Sequence, residues 1–65
     1  MYISEGTARR MLKEAGAKRV SKEAASEFQK RINRYAYDVG QKAVKLANHA
    51  KRKTVTDSDI KLAAY

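Results

Sequence analysis

The sequence predicts an all-α protein in which two short helices flank one long central helix. Within residues 21–52, apolar or aromatic side chains recur at steps of three or four, at Ala24, Phe28, Ile32, Tyr35, Val39, Ala43, Leu46 and Ala50. This stretch has no proline and one glycine, so the spacing indicates a continuous amphipathic helix about 45 Å long. The rest of a 65-residue chain cannot cover so long a stripe, and we expect a second copy to cover it.

Length and composition predict one small domain, 1–65, that needs help to fold. Chains of this size lie near the lower limit for independent folding, and without cysteine no disulfide can stabilise this one. A single histidine argues against a metal cluster, and no cofactor is expected. Oligomerisation is the remaining common way to stabilise so small a chain. The absence of cysteine also fits an intracellular protein.

The charge balance points to a polyanionic partner. Fifteen Lys and Arg against seven Asp and Glu give a formal net charge of +8. Such an excess on a small domain is typical of proteins that bind nucleic acid. No apolar run approaches the ~20 residues that span a bilayer. Residues 1–16 also lack the apolar segment of a signal peptide, so neither a membrane nor export is expected.

The first helix and the first connection follow from three local signals. Ser4 can cap the first helix with its side-chain oxygen, and Gly16 can adopt the left-handed conformation that ends many helices. A short connection, 17–20, then leads to Ser21, which is the expected cap of the long helix. The cations around Arg52 suit the negative end of the helix dipole, and the long helix is predicted to end near that residue.

The last element begins with a capping box. The β-branched run 54–56 predicts that the long helix has ended and that the chain is extended there. Thr56 can then cap a final helix, with Asp59 at the third position of the box. This short helix is predicted to reach the end of the chain at Tyr65.

The spacing on the long helix also indicates how two copies would pair. Ala24, Tyr35 and Leu46 are related by steps of 11 residues, which is about 3.67 residues per turn and close to a straight helix. Two such helices are expected to cross once near their middle, instead of winding around each other. Ala36 and Gly40 are small enough to permit the close approach.

The sequence gives no support for an enzyme. It lacks cysteine, His49 has no carboxylate within helical reach, and the three glycines form no phosphate-binding loop. The hydroxyl side chains stand where helix caps and extended residues belong. We therefore predict a binding protein without a catalytic site, a metal or a small-molecule substrate.

The cations cluster at three places, on the first helix and in the two connections. They are Arg9, Arg10, Lys13, Lys18, Arg19, Arg52 and Lys53. A solvated surface that keeps the protein soluble is the plainer interpretation. Against it, each cluster lies beside loop amides or helix termini that can donate to phosphate oxygens. Because no helix carries Asn, Gln and Arg spaced for reading base edges, binding is expected to be largely independent of sequence.

Two segments resemble the archaeal histones. They are Lys-Arg-Val-Ser at 18–21 and Leu-Ala-Asn-His-Ala-Lys-Arg-Lys-Thr-Val-Thr-Asp-Ser-Asp-Ile at 46–60, and the similarity runs without gaps from about Arg10 to Ala64. The resemblance implies a histone fold in which two chains interlock as a handshake homodimer. It further implies a chromatin protein of the nucleoid that wraps, bends or compacts double-stranded DNA. Whether dimers assemble into tetramers or larger forms on DNA stays open.

The resemblance also implies roles for individual residues in DNA binding. Arg19 would enter the minor groove, with Thr54 orienting it. Lys53 and Arg10 would contact phosphates. The remaining cations of the expected DNA-binding set are Arg9, Lys13 and Lys18.

Further roles implied by the resemblance are structural. Arg52 and Asp59 would form an ion pair within one chain that braces the second connection. Leu46, His49 and Asp59 would form the face through which one dimer joins the next. The dimer core would comprise Ala24, Phe28, Ile32, Tyr35, Ala36 and Val39.

Two other functions remain open at this point. The first is a histone-fold module that pairs with a different chain in a transcription or repair complex, and that needs this partner to cover the stripe 24–50. The second, more distant, is a basic amphipathic helix that lies on anionic membranes. Salt-dependent DNA binding by the purified protein distinguishes the DNA-binding dimer from the heterodimerising module.

Overall fold

Three α-helices follow one another along the chain. A computed structural model describes residues 2–65, and Met1, the first residue of the predicted domain, lies outside them. Helix α1 covers Glu5–Glu14, α2 covers Lys22–His49 and α3 covers Asp57–Ala63. No strand occurs in the part of the chain that the structure describes. The predicted all-α order of a short, a long and a short helix is confirmed.

The described chain divides into two compact units, one ending at Arg34 and the other covering Tyr35–Tyr65. The apolar side chains that either unit buries are all alanine. They are Ala8 and Ala25 in the first unit, and Ala43, Ala47 and Ala63 in the second. An alanine removes only one methyl group from water, so each contributes little to stability. The larger apolar side chains that the structure describes stay partly or fully exposed.

Helix α1 begins after the predicted cap and ends before the predicted glycine. The Ser4 side chain accepts a hydrogen bond from the Thr7 amide at 3.0 Å. Gly16 has a φ of 120°, a conformation that glycine adopts without the clash of a Cβ atom. The Gly16 amide donates to the Lys13 carbonyl, and the next amide donates to the Leu12 carbonyl. This pair of bonds is a Schellman motif.

Helix α2 ends at His49, three residues before the predicted end near Arg52, and that prediction was wrong. Lys51 has a φ of 60°. The Lys51 amide donates to the Asn48 carbonyl, and the Arg52 amide donates to the Ala47 carbonyl, each at 2.9 Å. The helix therefore ends in a second Schellman motif, with a lysine in the left-handed position. Without a glycine there, the sequence carries no local stop signal.

Replacing Lys51 by glycine is expected to stabilise the protein by roughly 0.5–1 kcal/mol, because a side chain with a Cβ atom is strained at this φ. Thermal unfolding of variant and wild type at equal concentration measures the effect. Ala50→Gly is the matched control, since Ala50 has no positive φ and glycine there only adds freedom to the unfolded chain. A Lys51→Gly protein that unfolds below wild type would contradict the strain.

Thr56 and Asp59 form the predicted capping box, which is confirmed. The Thr56 amide donates to the Asp59 carboxylate at 2.9 Å, and the Thr56 hydroxyl accepts from the Asp59 amide at 3.4 Å. The helix ends at Ala63, two residues short of the predicted end at Tyr65. The Ala64 amide still donates to a carbonyl of the last turn and caps it.

Two amide side chains of α2 hold the segment before α1. Asn33 accepts from the Ile3 amide through Oδ1 at 2.8 Å and donates through Nδ2 to the Ile3 carbonyl at 3.2 Å. The buried Gln29 donates to the same carbonyl at 3.0 Å. These bonds fix the backbone directly before Ser4 and so position the cap of α1. The sequence analysis assigned no role to either amide.

Candidate nucleic-acid interface

The side chains predicted to bind DNA lie on α1 and on the two connections. Loop 1 comprises residues 15–21 and loop 2 comprises residues 50–56. The set consists of Arg9, Arg10 and Lys13 on α1, Lys18 and Arg19 in loop 1, and Lys53 and Thr54 in loop 2. All are exposed except Arg9, which is half-buried. The first compact unit thus holds the contacts of α1 and loop 1, and the second holds those of loop 2.

The exposed cations of the loops are available to an anion. Within residues 2–65, neither Lys18, Arg19 nor Lys53 pairs with a carboxylate. Arg31 on α2 differs, since it binds Glu27 at 2.7 Å, and this hydrogen bond lowers the pKa of the glutamate. A surface cation without a carboxylate partner keeps its full attraction for phosphate.

Arg52 and Asp59 hold loop 2 together through a bidentate ion pair. Arg52 Nη2 lies 2.8 Å from Asp59 Oδ1, and Nη1 lies 2.9 Å from Oδ2. The same Nη1 donates to the Thr54 carbonyl at 2.9 Å. Asp59 is only 6% exposed and also accepts the Thr56 amide. One guanidinium therefore joins the start of α3 to the turn that presents Lys53.

Each member of this pair stabilises the charge of the other. The hydrogen bond from Arg52 holds the pKa of Asp59 well below its ordinary value, and the Thr56 amide lowers it further against the effect of burial. Asp59 in turn raises the pKa of Arg52. The folded carboxyl thus has a lower pKa than the unfolded one, which is about 3.9. The pair stabilises the fold above about pH 4, and this stabilisation is lost as the pH falls further.

Asp59→Asn is expected to lower the unfolding temperature at pH 7 and to flatten its fall below about pH 4, because the amide cannot carry the paired charge. Thermal unfolding of both proteins between pH 7 and pH 2 measures this. Asp57→Asn is the control, since the Asp57 carboxylate is exposed and lies 3.9 Å from Lys61, a contact worth little. Identical acid limbs for wild type and Asp59→Asn would contradict the role of the pair.

Arg9 is tied into loop 1, an arrangement that the sequence analysis did not foresee. Its Nη1 donates to the Val20 carbonyl at 2.7 Å. The partner is a backbone oxygen eleven residues further along the chain, so no pattern of side chains could reveal it. Ser21 closes the loop as the predicted cap of α2, since its hydroxyl accepts from the Ala24 amide at 3.0 Å.

The predicted dimer core lies on a face of α2 that contacts within the chain leave open. Ala24, Tyr35 and Ala36 are exposed, and Phe28, Ile32 and Val39 are half-buried. The chain's own packing instead covers a neighbouring stripe of α2 that comprises Ala25, Gln29, Ala43 and Ala47. Tyr35 is 60% exposed, although its hydroxyl donates to the Ala64 carbonyl at 3.4 Å. An apolar face of this kind is available to a second helix.

Leu46 and His49, two of the three residues predicted to join dimers, line one shallow pocket of the second unit. The pocket has a volume of about 450 Å³, and its other lining residues are Lys42, Lys45, Leu62 and Ala63. Asp59, the third predicted residue, does not line it and binds Arg52 instead. The apolar floor of the pocket is therefore bordered by lysines.

Other kinds of site find no support in residues 2–65. No group of His, Asp and Glu side chains could hold a metal ion among them. No helix of the same residues is long and apolar enough to cross a membrane. The exposed cations of α1 and the two loops are thus the chemical feature that a function has to explain.

Comparison with known proteins gives consistent results along most of the chain. Residues 3–64 match the family model described as histone-like transcription factor (CBF/NF-Y) and archaeal histone. A subunit of the archaeal histone HAN1 from Thermococcus zilligii is 46% identical over 54 residues, covering 83% of this chain and 81% of its own. Probable archaeal histone 3 of Methanocaldococcus jannaschii is 48% identical over 54 residues, with the same coverage of both chains.

Proposed function

Because the chain belongs to the family of histone-like transcription factors and archaeal histones, we propose that it is a chromatin protein that binds double-stranded DNA irrespective of sequence. The observation that carries the proposal is the presence of two internally bonded loops with exposed, unpaired cations. Loops held in one conformation lose little entropy when they bind. The function requires no catalytic step, and it places the protein on the chromosome.

Contacts to the DNA backbone and minor groove explain the distribution of these cations. Arg19 is the proposed minor-groove residue, and Thr54 of the second chain is proposed to orient it. Lys53 and Arg10 are exposed and are proposed to bind phosphates. Lys13 and Lys18 supply further positive charge nearby in sequence. Such contacts follow the shape and charge of the duplex, so the DNA would be wrapped or bent without being read.

A homodimer is proposed as the functional form, and residues 1–65 are proposed to act as one domain within it. An all-alanine core contributes little, whereas Phe28, Ile32 and Val39 remain only half-covered in the single chain. A crossed second copy of α2 would bury them and complete the histone fold. The same crossing would bring loop 1 of one chain beside loop 2 of the other. The proposed contacts of Arg19 and Lys53 would then meet one segment of duplex.

Association of dimers is proposed to use the pocket lined by Leu46 and His49. Two copies of this face would also bring Lys42 and Lys45 towards their counterparts. Like charges repel, so free dimers should associate weakly at low salt. The negative phosphates of bound DNA would offset this repulsion and favour tetramers or larger assemblies on the duplex. Sedimentation with and without DNA, at two salt concentrations, tests this.

Salt-dependent binding to duplex DNA tests the proposed function. A dimer that makes about 8 to 12 phosphate contacts should show a slope of log affinity against log salt of roughly −7 to −11. Two duplexes of equal length and unrelated sequence should bind with similar affinity. A slope near zero, or no binding by the purified homodimer, would contradict the proposal. A strong preference for one duplex would contradict sequence independence alone.

A heterodimerising module is the second candidate, because the matched family description also names transcription factors. Such a module would need another chain to cover the open face of α2. Sedimentation of the purified protein separates the two candidates. A folded homodimer supports the first, and an unfolded or aggregated chain that folds only with a partner supports the second.

A further inference from the structure

We infer that Arg9 is a positioning residue for DNA binding, which holds loop 1 in the conformation that presents Arg19. The inference rests on the proposed function and revises the predicted role of Arg9 as a direct DNA contact. The Arg9 guanidinium donates to the Val20 carbonyl at 2.7 Å, a short and partly buried bond. Arg9 is half-buried, whereas its neighbour Arg10 is exposed. Two adjacent arginines of α1 therefore stand in different environments.

The bond supports the part of loop 1 that its ends do not hold. The Schellman motif at Gly16 fixes the loop where α1 ends. Ser21 fixes it where α2 begins, by accepting the Ala24 amide. Lys18, Arg19 and Val20 lie between these two anchors. A guanidinium on the Val20 carbonyl fixes the peptide that directly follows Arg19, and so limits the directions in which the Arg19 side chain can point.

Loop 2 uses the same arrangement. There Arg52 donates to the Thr54 carbonyl, which directly follows Lys53. In each loop a guanidinium is thus bonded to the carbonyl of the residue after a proposed DNA contact. The two arginines differ in one respect, since Asp59 neutralises Arg52, whereas Arg9 has no carboxylate partner within residues 2–65. The Arg9 brace therefore depends on one hydrogen bond and is the easier of the two to remove.

Removing the brace should cost affinity through disorder, without removing a phosphate contact. A loop that is mobile in the free protein has to be ordered when it binds, and a dimer has two copies of loop 1. We expect Arg9→Gln to weaken DNA binding roughly tenfold while the salt slope stays close to that of wild type. In free Arg9→Gln protein, the amides of residues 18–20 should exchange hydrogen faster than in wild type.

Arg10→Gln is the matched control, because it removes the same charge from the next residue of α1. It should leave amide exchange in loop 1 unchanged and make the salt slope less steep by about 2 per dimer, one contact for each chain. Circular dichroism checks that both variants keep the helicity of wild type.

Two results would overturn the inference. If free Arg9→Gln protein shows wild-type exchange at residues 18–20, Arg9 does not hold the loop. If Arg9→Gln flattens the salt slope as Arg10→Gln does, Arg9 is a phosphate contact. In both cases DNA binding by wild type would leave the proposed function standing. A wild-type homodimer that binds no DNA would overturn the proposed function and, with it, the role of Arg9.

Discussion

Ile32→Asp is expected to abolish folding of the protein. Ile32 lies on the open face of α2 and is half-buried even in the single chain. In the proposed crossed dimer both copies of this side chain would be enclosed near the centre. An aspartate there would bury a charge without a partner, at a cost of more than about 4 kcal/mol. That cost matches or exceeds the stability that a core of this size usually supplies.

Loss of far-ultraviolet helicity in Ile32→Asp, measured at the concentration where wild type is folded, is the expected result. Lys30→Asp is the control, because it places the same side chain two residues away at an exposed position of the same helix. This control should keep wild-type helicity and sediment as a dimer. A well-folded Ile32→Asp monomer would contradict the crossed dimer, since the chain would then be stable without covering its open face.

The elements of the fold could be predicted because their signals are local. Ser4, Ser21 and Thr56 are cap residues by side-chain chemistry, and each accepts the expected backbone amide. The end of α2 could not be predicted, because Lys51 adopts a left-handed conformation that is normally signalled by glycine. Tertiary bonds to the last carbonyls of the helix favour this conformation in spite of the residue type.

The site divides in the same way between local and distant signals. The excess of cations and their positions in the loops are visible in the sequence, and resemblance to a family pairs Arg52 with Asp59, as found in the structure. By contrast, the contact of Arg9 with Val20 joins a side chain to a distant backbone oxygen. The binding of Ile3 by Asn33 is of the same kind. Backbone partners leave no mark on the pattern of side chains, so such contacts appear only in the fold.

The identity of the covered stripe on α2 is a further point that sequence periodicity left open. The pattern defines a broad apolar face, but not which part the chain covers for itself. In the structure Ala25 and Ala47 are buried by the chain, whereas Ala24 and Tyr35 on the adjacent stripe are exposed. Small residues allow α1 and α3 to approach α2 closely within their units. The larger side chains are left for the proposed partner.

Arg19→Ala is expected to weaken binding to every duplex roughly 100-fold while leaving the free protein folded. Arg19 is exposed in loop 1 and pairs with no carboxylate in residues 2–65, so its loss removes no ion pair within the chain. A homodimer loses two guanidinium groups from the minor groove, and hydrogen bonds to charged groups contribute roughly 1.5–3 kcal/mol each. The salt slope should become less steep by about 2.

Arg31→Ala is the control for this loss, because it removes the same residue type from an exposed position outside the loops. The Arg31 guanidinium is already paired with Glu27 at 2.7 Å, so its removal should change affinity and salt slope little. Fluorescence anisotropy with two unrelated duplexes at several salt concentrations measures both quantities, and circular dichroism monitors the fold. If Arg19→Ala loses helicity, the residue is structural. If it binds DNA like Arg31→Ala, loop 1 is not the contact, because a charge alone then fails to account for binding.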